Sequence, residues 1–281
     1  MSNILPFRSN TPRICSAIFS HGRIPGMTEV TMAEASLHRL AGNHVMLVGA
    51  GPALDAFSGR LDHEQYAIRP MPERRDASFA RTILDEAEGN GIGLIALDVG
   101  GDRLFGGGTF DNQLRTFETA RSRGWKTVMK MVLKPGAVEV PEETLRAAVG
   151  FSRYAEVHLI EIAARPEAPG VTPPGFLLHR LAHIEPGQLR LLEQSRGLMS
   201  DVILNPPPGA ALDAALLART LLDFALSGDF ARAMGCGAAI PVLRKAARAA
   251  TPSAIDARPA LPQVSDHATK ADDQGSAEPQ P

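Results

Sequence analysis

The sequence predicts an α/β protein: a doubly wound, mostly parallel sheet with helices on both faces, followed by a disordered C-terminal tail. Three observations carry this. Apolar runs and helical patterns alternate along most of the chain. The apolar runs are continuous rather than period-two, as in strands buried on both faces. No aromatic residue occurs from Thr251 onward, and that stretch is rich in Pro, Ala, Ser, Asp and Gln, so it cannot bury enough surface to offset its ordering entropy. The organisation expected is an arm over 1–12, one domain over 13–250 and a tail over 251–281.

Taken in order, residues 13–19 form an apolar strand and 28–41 a helix with Val30, Ala33, Leu37 and Leu40 at helical spacing, stopped by Gly42. Residues 44–48 are a second buried strand before the turn Gly49-Ala50-Gly51-Pro52, and 66–69 a shorter strand closed by Pro70 and Pro72. A helix over 77–88 precedes the clearest strand, 93–98, which ends in Asp98 and opens into a glycine-rich loop. Then come a helix over 111–123, a strand over 127–133, a helix over 141–149 with Pro141 at its first turn and a strand over 157–162. After a Pro-rich connection the expectation is helical material between 175 and 196, a last strand over 201–204, and helices over 211–226 and 238–249.

Composition narrows the function classes. Charged residues make up 21% of the 281 and hydrophobic residues 44%, as in soluble globular proteins. With 29 Lys+Arg against 31 Asp+Glu the net charge is −2, so nucleic acid would need a local basic patch. Arg244, Lys245 and Arg248 on the last helix are the candidate for such a DNA contact or a membrane contact, beside the plainer reading of a helix that packs its apolar side on the sheet and solvates its charges. Cys15 and Cys236 are the two cysteines, which points to a reducing compartment and away from a zinc site. The absence of a roughly 20-residue apolar run or a signal-peptide core makes the expectation cytoplasmic.

The stretch 20–31, SHGRIPGMTEVT, lies between the first strand and the first helix. Strand, glycine-containing loop and helix is the layout of a phosphate-binding loop, because the first helical amides point into the loop. Its triplet reads Gly26-Met27-Thr28, with methionine where an ammonium would meet the β- and γ-phosphates. A blander reading makes the stretch a strand-to-helix turn with Thr28 as N-cap.

That loop, the Gly49–Pro52 turn and the strand ending in Asp98 together resemble the ParA/MinD family of deviant-Walker P-loop ATPases, including the shorter partition and conjugation relatives StbB and TraL. The family's KGGVGKT loop falls on Gly22-Arg23-Ile24-Pro25-Gly26-Met27-Thr28, its D-x-D-Pro turn on Gly49-Ala50-Gly51-Pro52, and its third motif on 94–98. Gly26, Thr28, Pro52 and Asp98 match. Met27 replaces the loop lysine, Gly22 stands at the signature lysine, and Gly49 and Gly51 replace the two acids, one of which would position the attacking water. The resemblance implies a nucleotide site for ATP or ADP with Mg²⁺, built from Gly22, Arg23, Gly26, Met27, Thr28 and Asp98, with Asn205 on the base side. Thr28 and Asp98 would hold the metal, and Arg23 would be the substitute cation. It further implies at most a weak ATPase in plasmid partition, stability or conjugative transfer, acting as a homodimer or through a protein partner.

Two other readings stand beside it. One is a pseudo-ATPase scaffold that binds no nucleotide. The other is a Rossmann-type cofactor enzyme, from VGAGPA at 48–53, although Leu54 stands at the third glycine of GxGxxG and the next strand ends in Arg69 rather than an acid. His179 and His183, spaced i, i+4, lack a third ligand and read as structural. Ser16, Ser20 and Ser58 lack the G-x-S-x-G setting of a hydrolase nucleophile.

Overall fold

The computed structural model describes residues 12–20, 24–99, 107–133, 140–163 and 175–250. Gly22, Arg23, most of the loop after Asp98, the 251–281 tail and most of the arm lie outside them.

Among the described residues the apolar runs pair into one seven-stranded sheet. Its strands are β1 (Ile14–Ser20), β2 (His44–Gly49), β3 (Ala67–Pro70), β4 (Ile92–Asp98), β5 (Lys126–Leu133), β6 (Glu156–Ala163) and β7 (Leu177–Ala182). They lie in the order β3-β2-β4-β1-β5-β6-β7, every neighbouring pair parallel. The helices are α1 (Met27–Leu40), α2 (Pro52–Arg60), α3 (Phe79–Gly89), α4 (Gly108–Ser122), α5 (Glu142–Phe151), α6 (Pro186–Ser195), α7 (Met199–Leu204), α8 (Ala211–Leu226), α9 (Phe230–Ala233) and α10 (Ala239–Ala247).

Strand alternation divides the core into two layers. β1 sends Ile14 and Ile18 into the layer of α1, α7, α8 and α10, and Cys15, Ala17 and Phe19 into the layer of α3, α4 and α5. All seven residues of β1 are buried, so it needs apolar or paired side chains on both faces. The doubly wound fold is therefore as expected from the continuous apolar runs.

Two elements differ from the sequence expectation. Residues 177–182, expected to be helical, form β7, which pairs with β6 from His158↔Leu177 to Ala163↔Ala182. Gly175 at φ +85° and Pro186 at the first turn of α6 split the stretch into a strand and a helix. Residues 201–204, expected to be the last strand, belong to α7. Their apolar run is too short for periodicity to decide, and the Asp201 carboxylate accepts from the Leu198 amide at 2.8 Å, starting a helix instead.

The layer containing α1 also buries charge. Lys130 of β5 pairs with Glu34 of α1, both side chains 0% exposed, and Ser16 Oγ of β1 donates to the same carboxylate at 2.9 Å. One turn on, His38 Nδ1 accepts from Asn43 Nδ2 at 3.1 Å. Burial pushes this imidazole down to about 4, with Glu34 opposing and Lys130 adding to the shift.

Removing one partner of a buried pair strands the other charge. Lys130→Met should therefore lose about 3–5 kcal/mol in urea unfolding, while adding Glu34→Leu should recover most of it; purely additive losses would contradict the pairing. His38 is held neutral when folded, so its contribution is complete above the unfolded value of 6.5 and is lost as pH falls toward about 4. Denaturation at pH 4.5 rather than 7 should show His38 costing about 2.5 kcal/mol, a loss absent from His38→Gln.

Candidate functional site at the carboxyl edge of the sheet

In an open parallel sheet, ligands gather beyond the carboxyl ends of the strands. Here β1 and β4 are central neighbours, with Ile18 paired to Asp98, so the end of β1 and the acid ending β4 stand side by side. β2 lies on the far side of β4 with Gly49 opposite Asp98, and the Ala50 amide donates to the Asp98 carbonyl at 3.0 Å. The carboxyl ends of β1, β4 and β2, from which the sequence-identified loops depart, therefore lie side by side.

α1 descends onto this edge through Gly26. That residue adopts φ +92° as the helix N-cap, and a Cβ there would lie 2.9 Å from Ile162 Cδ1 of β6. Left-handed backbone and close approach both select glycine. The first intrahelical bond runs from the Val30 amide to the Gly26 carbonyl at 3.1 Å. Met27, Thr28 and Glu29 thus contribute the helix-start amides that an anion would meet. Thr28 is not the N-cap, because the helix has already begun at Met27.

Met27 is buried at 6% exposure, and Ser20 Oγ donates to its thioether sulfur at 2.8 Å. The side chain replacing the loop lysine thus folds down between the end of β1 and the first turn of α1 rather than projecting toward a phosphate. Glu29 in that turn is paired with Arg60 of α2 at 3.2 Å. Gly22 and the substitute cation Arg23 fall outside the described residues.

Asp98 is 0% exposed and accepts from Thr31 Oγ1 at 3.3 Å. Thr31 lies one turn beyond Thr28 on the helix face toward β4, a role missed in the sequence although the i, i+3 spacing of the two threonines was visible. Thr28 is half-buried at the helix start. Its hydroxyl and the Asp98 carboxylate are hard oxygen donors of the kind Mg²⁺ takes, so they fit that ion chemically. Among the described residues, no cluster of three His, Cys, Asp or Glu could hold a metal.

The glycines at the family's acid positions have a packing reason. A Cβ on Gly49 would lie 2.8 Å from both the Cα and the backbone nitrogen of Leu54, so the start of α2 presses directly on β2. Gly51 has open space but sits at φ +51°, ψ −129°. The backbone, and not only the sequence, excludes an acid at 49.

Asn205 is not brought to this edge. It is the exposed C-cap of α7, and its amide bonds to Asp201, which faces Arg39 at the far end of α1. Assigning it to the base side assumed a strand over 201–204, and that strand is a helix. A cavity of about 150 Å³ beside Gly26 is instead lined by Pro25, Glu29, Ile162, Leu181, His183 and Leu189. His179 and His183 share no helix face, since His179 is on β7. Cys15 and Cys236 are buried, and burial pushes both thiols up and out of reactivity. Arg244, Lys245 and Arg248 lie exposed on the last helical segment of the described residues.

Gly49→Asp, which would place the acid that the resemblance expects at this turn, should destabilise the protein by about 3 kcal/mol or more, read from urea midpoints, because Leu54 backbone occupies its place. Unchanged stability would show that α2 can withdraw.

No family model matches the sequence, and no curated protein matches it. Solved structures to which the chain is similar include MinD from Aquifex aeolicus, at 13% identity over 78% of this chain and 97% of that one, TM-score 0.45. Another is the signal recognition particle 54 kDa protein from Aeropyrum pernix in complex with GDP, at 15% identity over 86% and 67%, TM-score 0.44. A third is the signal recognition particle receptor FtsY from Elizabethkingia anophelis in complex with GDP, at 18% identity over 56% and 51%, TM-score 0.37. The chain thus spans about half the length of that receptor. Likeness at this level transfers no ligand or partner to this chain. No described helix is long and apolar enough to cross a membrane.

Proposed function

We propose that the chain is a ParA/MinD-like nucleotide-binding protein, hydrolysis-impaired, that takes the phosphates of ATP or ADP with Mg²⁺ on the first turn of α1. The observation that carries this is the buried Asp98 carboxylate, one strand from β1 and tied to Thr31 on a helix that Gly26 starts in left-handed conformation. Helix-start amides supply the anion contacts. Thr28 and Asp98 would hold the metal, which would neutralise phosphate charge, while Thr31 keeps Asp98 in place. Turnover is impaired because Met27 is folded onto Ser20 and position 49 admits no acid.

The biological setting that goes with the resemblance is plasmid partition, stability or conjugative transfer, as a cytoplasmic homodimer or with a protein partner. The pseudo-ATPase scaffold is the second reading, favoured by the same buried Met27.

Thermal unfolding with Mg-ATP, Mg-ADP, NAD and S-adenosylmethionine separates the readings. At about 100 times its dissociation constant a ligand adds roughly 2.7 kcal/mol, which should raise Tm by about 5 °C or more. The shift is expected with the adenine nucleotides alone and should vanish in Asp98→Ala and Thr31→Val. No shift with any ligand would leave the scaffold; a shift with NAD or S-adenosylmethionine only would support the cofactor enzyme.

A further inference from the structure

Away from the nucleotide edge, β6, β7 and the turn Ser227–Asp229 enclose a chain of polar contacts. Glu156 Oε1 lies 2.7 Å from His158 Nε2, His158 Nδ1 lies 2.7 Å from His179 Nε2, and His179 Nδ1 lies 2.7 Å from the Ser227 carbonyl. Both imidazoles are 0% exposed and lie edge to edge, 4.9 Å between centroids and 18° between planes, with the Phe230 ring edge-on to each. The turn is seated directly on His179: a Cβ on Gly228, at φ +54°, would lie 2.9 Å from His179 Nδ1 and 2.6 Å from the Leu178 carbonyl. Ser227 Oγ also accepts from the Arg180 amide at 2.8 Å.

The two ends of this chain can only accept, one being a carbonyl and the other a carboxylate. Each neutral imidazole brings one N–H, so two neutral rings supply two protons to three contacts. The full set closes when the two rings together hold three protons: His158 Nε2–H to Glu156, His179 Nδ1–H to Ser227, and a third shared between His158 Nδ1 and His179 Nε2. The extra proton enters from water at Glu156, whose side chain is 44% exposed.

We propose that Glu156, His158, His179 and the Ser227 carbonyl form a proton-operated clasp fastening the turn between α8 and α9 to β6 and β7. With one proton beyond the neutral pair it is closed; when that proton leaves to water, either the Glu156 or the Ser227 end opens.

The surrounding charges set the balance. On β5, Lys126 pairs with Glu156 at 2.8 Å and Lys130 is the in-register neighbour of His158; Glu34 of α1 pairs with Lys130, and Asp229 lies on the turn itself. Burial works to raise the Glu156 carboxyl, yet hydrogen bonds from Lys126 and His158 hold it down. Burial pushes both imidazoles down, His179 to about 4, against the pull of Glu156 on His158. The need for a donor at each of the three hydrogen bonds opposes that desolvation, and their opposition makes the clasp responsive to pH.

Glu156→Gln is the discriminating variant. Its carboxamide N–H can donate to His158 Nε2, so two neutral rings then satisfy all contacts and the need for the extra proton disappears. In the full-length protein, imidazole ¹⁵N shifts titrated from roughly pH 5 to 8 should show the pair's proton affinity falling at least about tenfold in this near-isosteric variant. Hydrogen exchange at Ser227–Asp229, corrected for its intrinsic pH dependence, should rise as the wild-type pair deprotonates and stay flat in Glu156→Gln. An unmoved midpoint, or wild-type exchange that ignores the titration, would overturn the clasp.

Discussion

The approach of α1 to the sheet is the constraint on which the carboxyl edge depends. Gly26 allows it, by taking a left-handed conformation against Ile162 where any other residue would hold the helix off. Everything that makes the edge chemically interesting follows from that seating. The helix starts at the carboxyl edge, Thr31 reaches Asp98, and deeper in the same helix Glu34 meets Lys130. The buried ion pair ties α1 to β5, so the helix is tethered across the sheet as well as at its start.

That same seating explains why a phosphate-binding layout lacks the side chains usually expected in it. Placing residue 27 at the first helical position beneath the loop gives an apolar side chain a buried pocket, and Met27 fills it against Ser20. The α2 start pressed on Gly49 removes room for an acid. Both residues are packed into the core, so in the proposed reading the edge keeps its helix-start amides and its acid while the positions expected to serve hydrolysis serve packing. An amide cradle can hold phosphate through aligned dipoles, whereas transition-state charge demands positioned cations and an oriented water.

Much of this was legible in the sequence because burial leaves a plain mark. Continuous apolar runs at 13–19, 44–48, 93–98 and 127–133 announced central parallel strands, and Asp98 at the end of one of them marked the edge. What was not legible depended on partners distant in sequence. The Leu177–Ala182 strand carries histidine and arginine among its leucines, and it becomes a strand only by pairing with β6. The Val202–Leu204 run looked like a strand because so short a run has no readable period; Asp201 bonded to the Leu198 amide makes it helical. Thr28 was singled out by motif position, but the rotation of α1 gives Asp98 to Thr31. Lys130 inside an apolar run was the overlooked signal: a lysine in a central strand requires a buried acid, and Glu34 was available on α1.

The proposed site, in which helix-start amides, Thr28 and Asp98 hold nucleotide and Met27 takes the lysine's place, should bind without turning over. Steady-state phosphate release from Mg-ATP, measured for the wild type beside Asp98→Ala, tests this most directly. The expected result is release by the wild type no faster than by Asp98→Ala, at nucleotide concentrations that stabilise the wild type alone. Sustained wild-type turnover that Asp98→Ala abolishes would contradict it and would place a working cation in the loop.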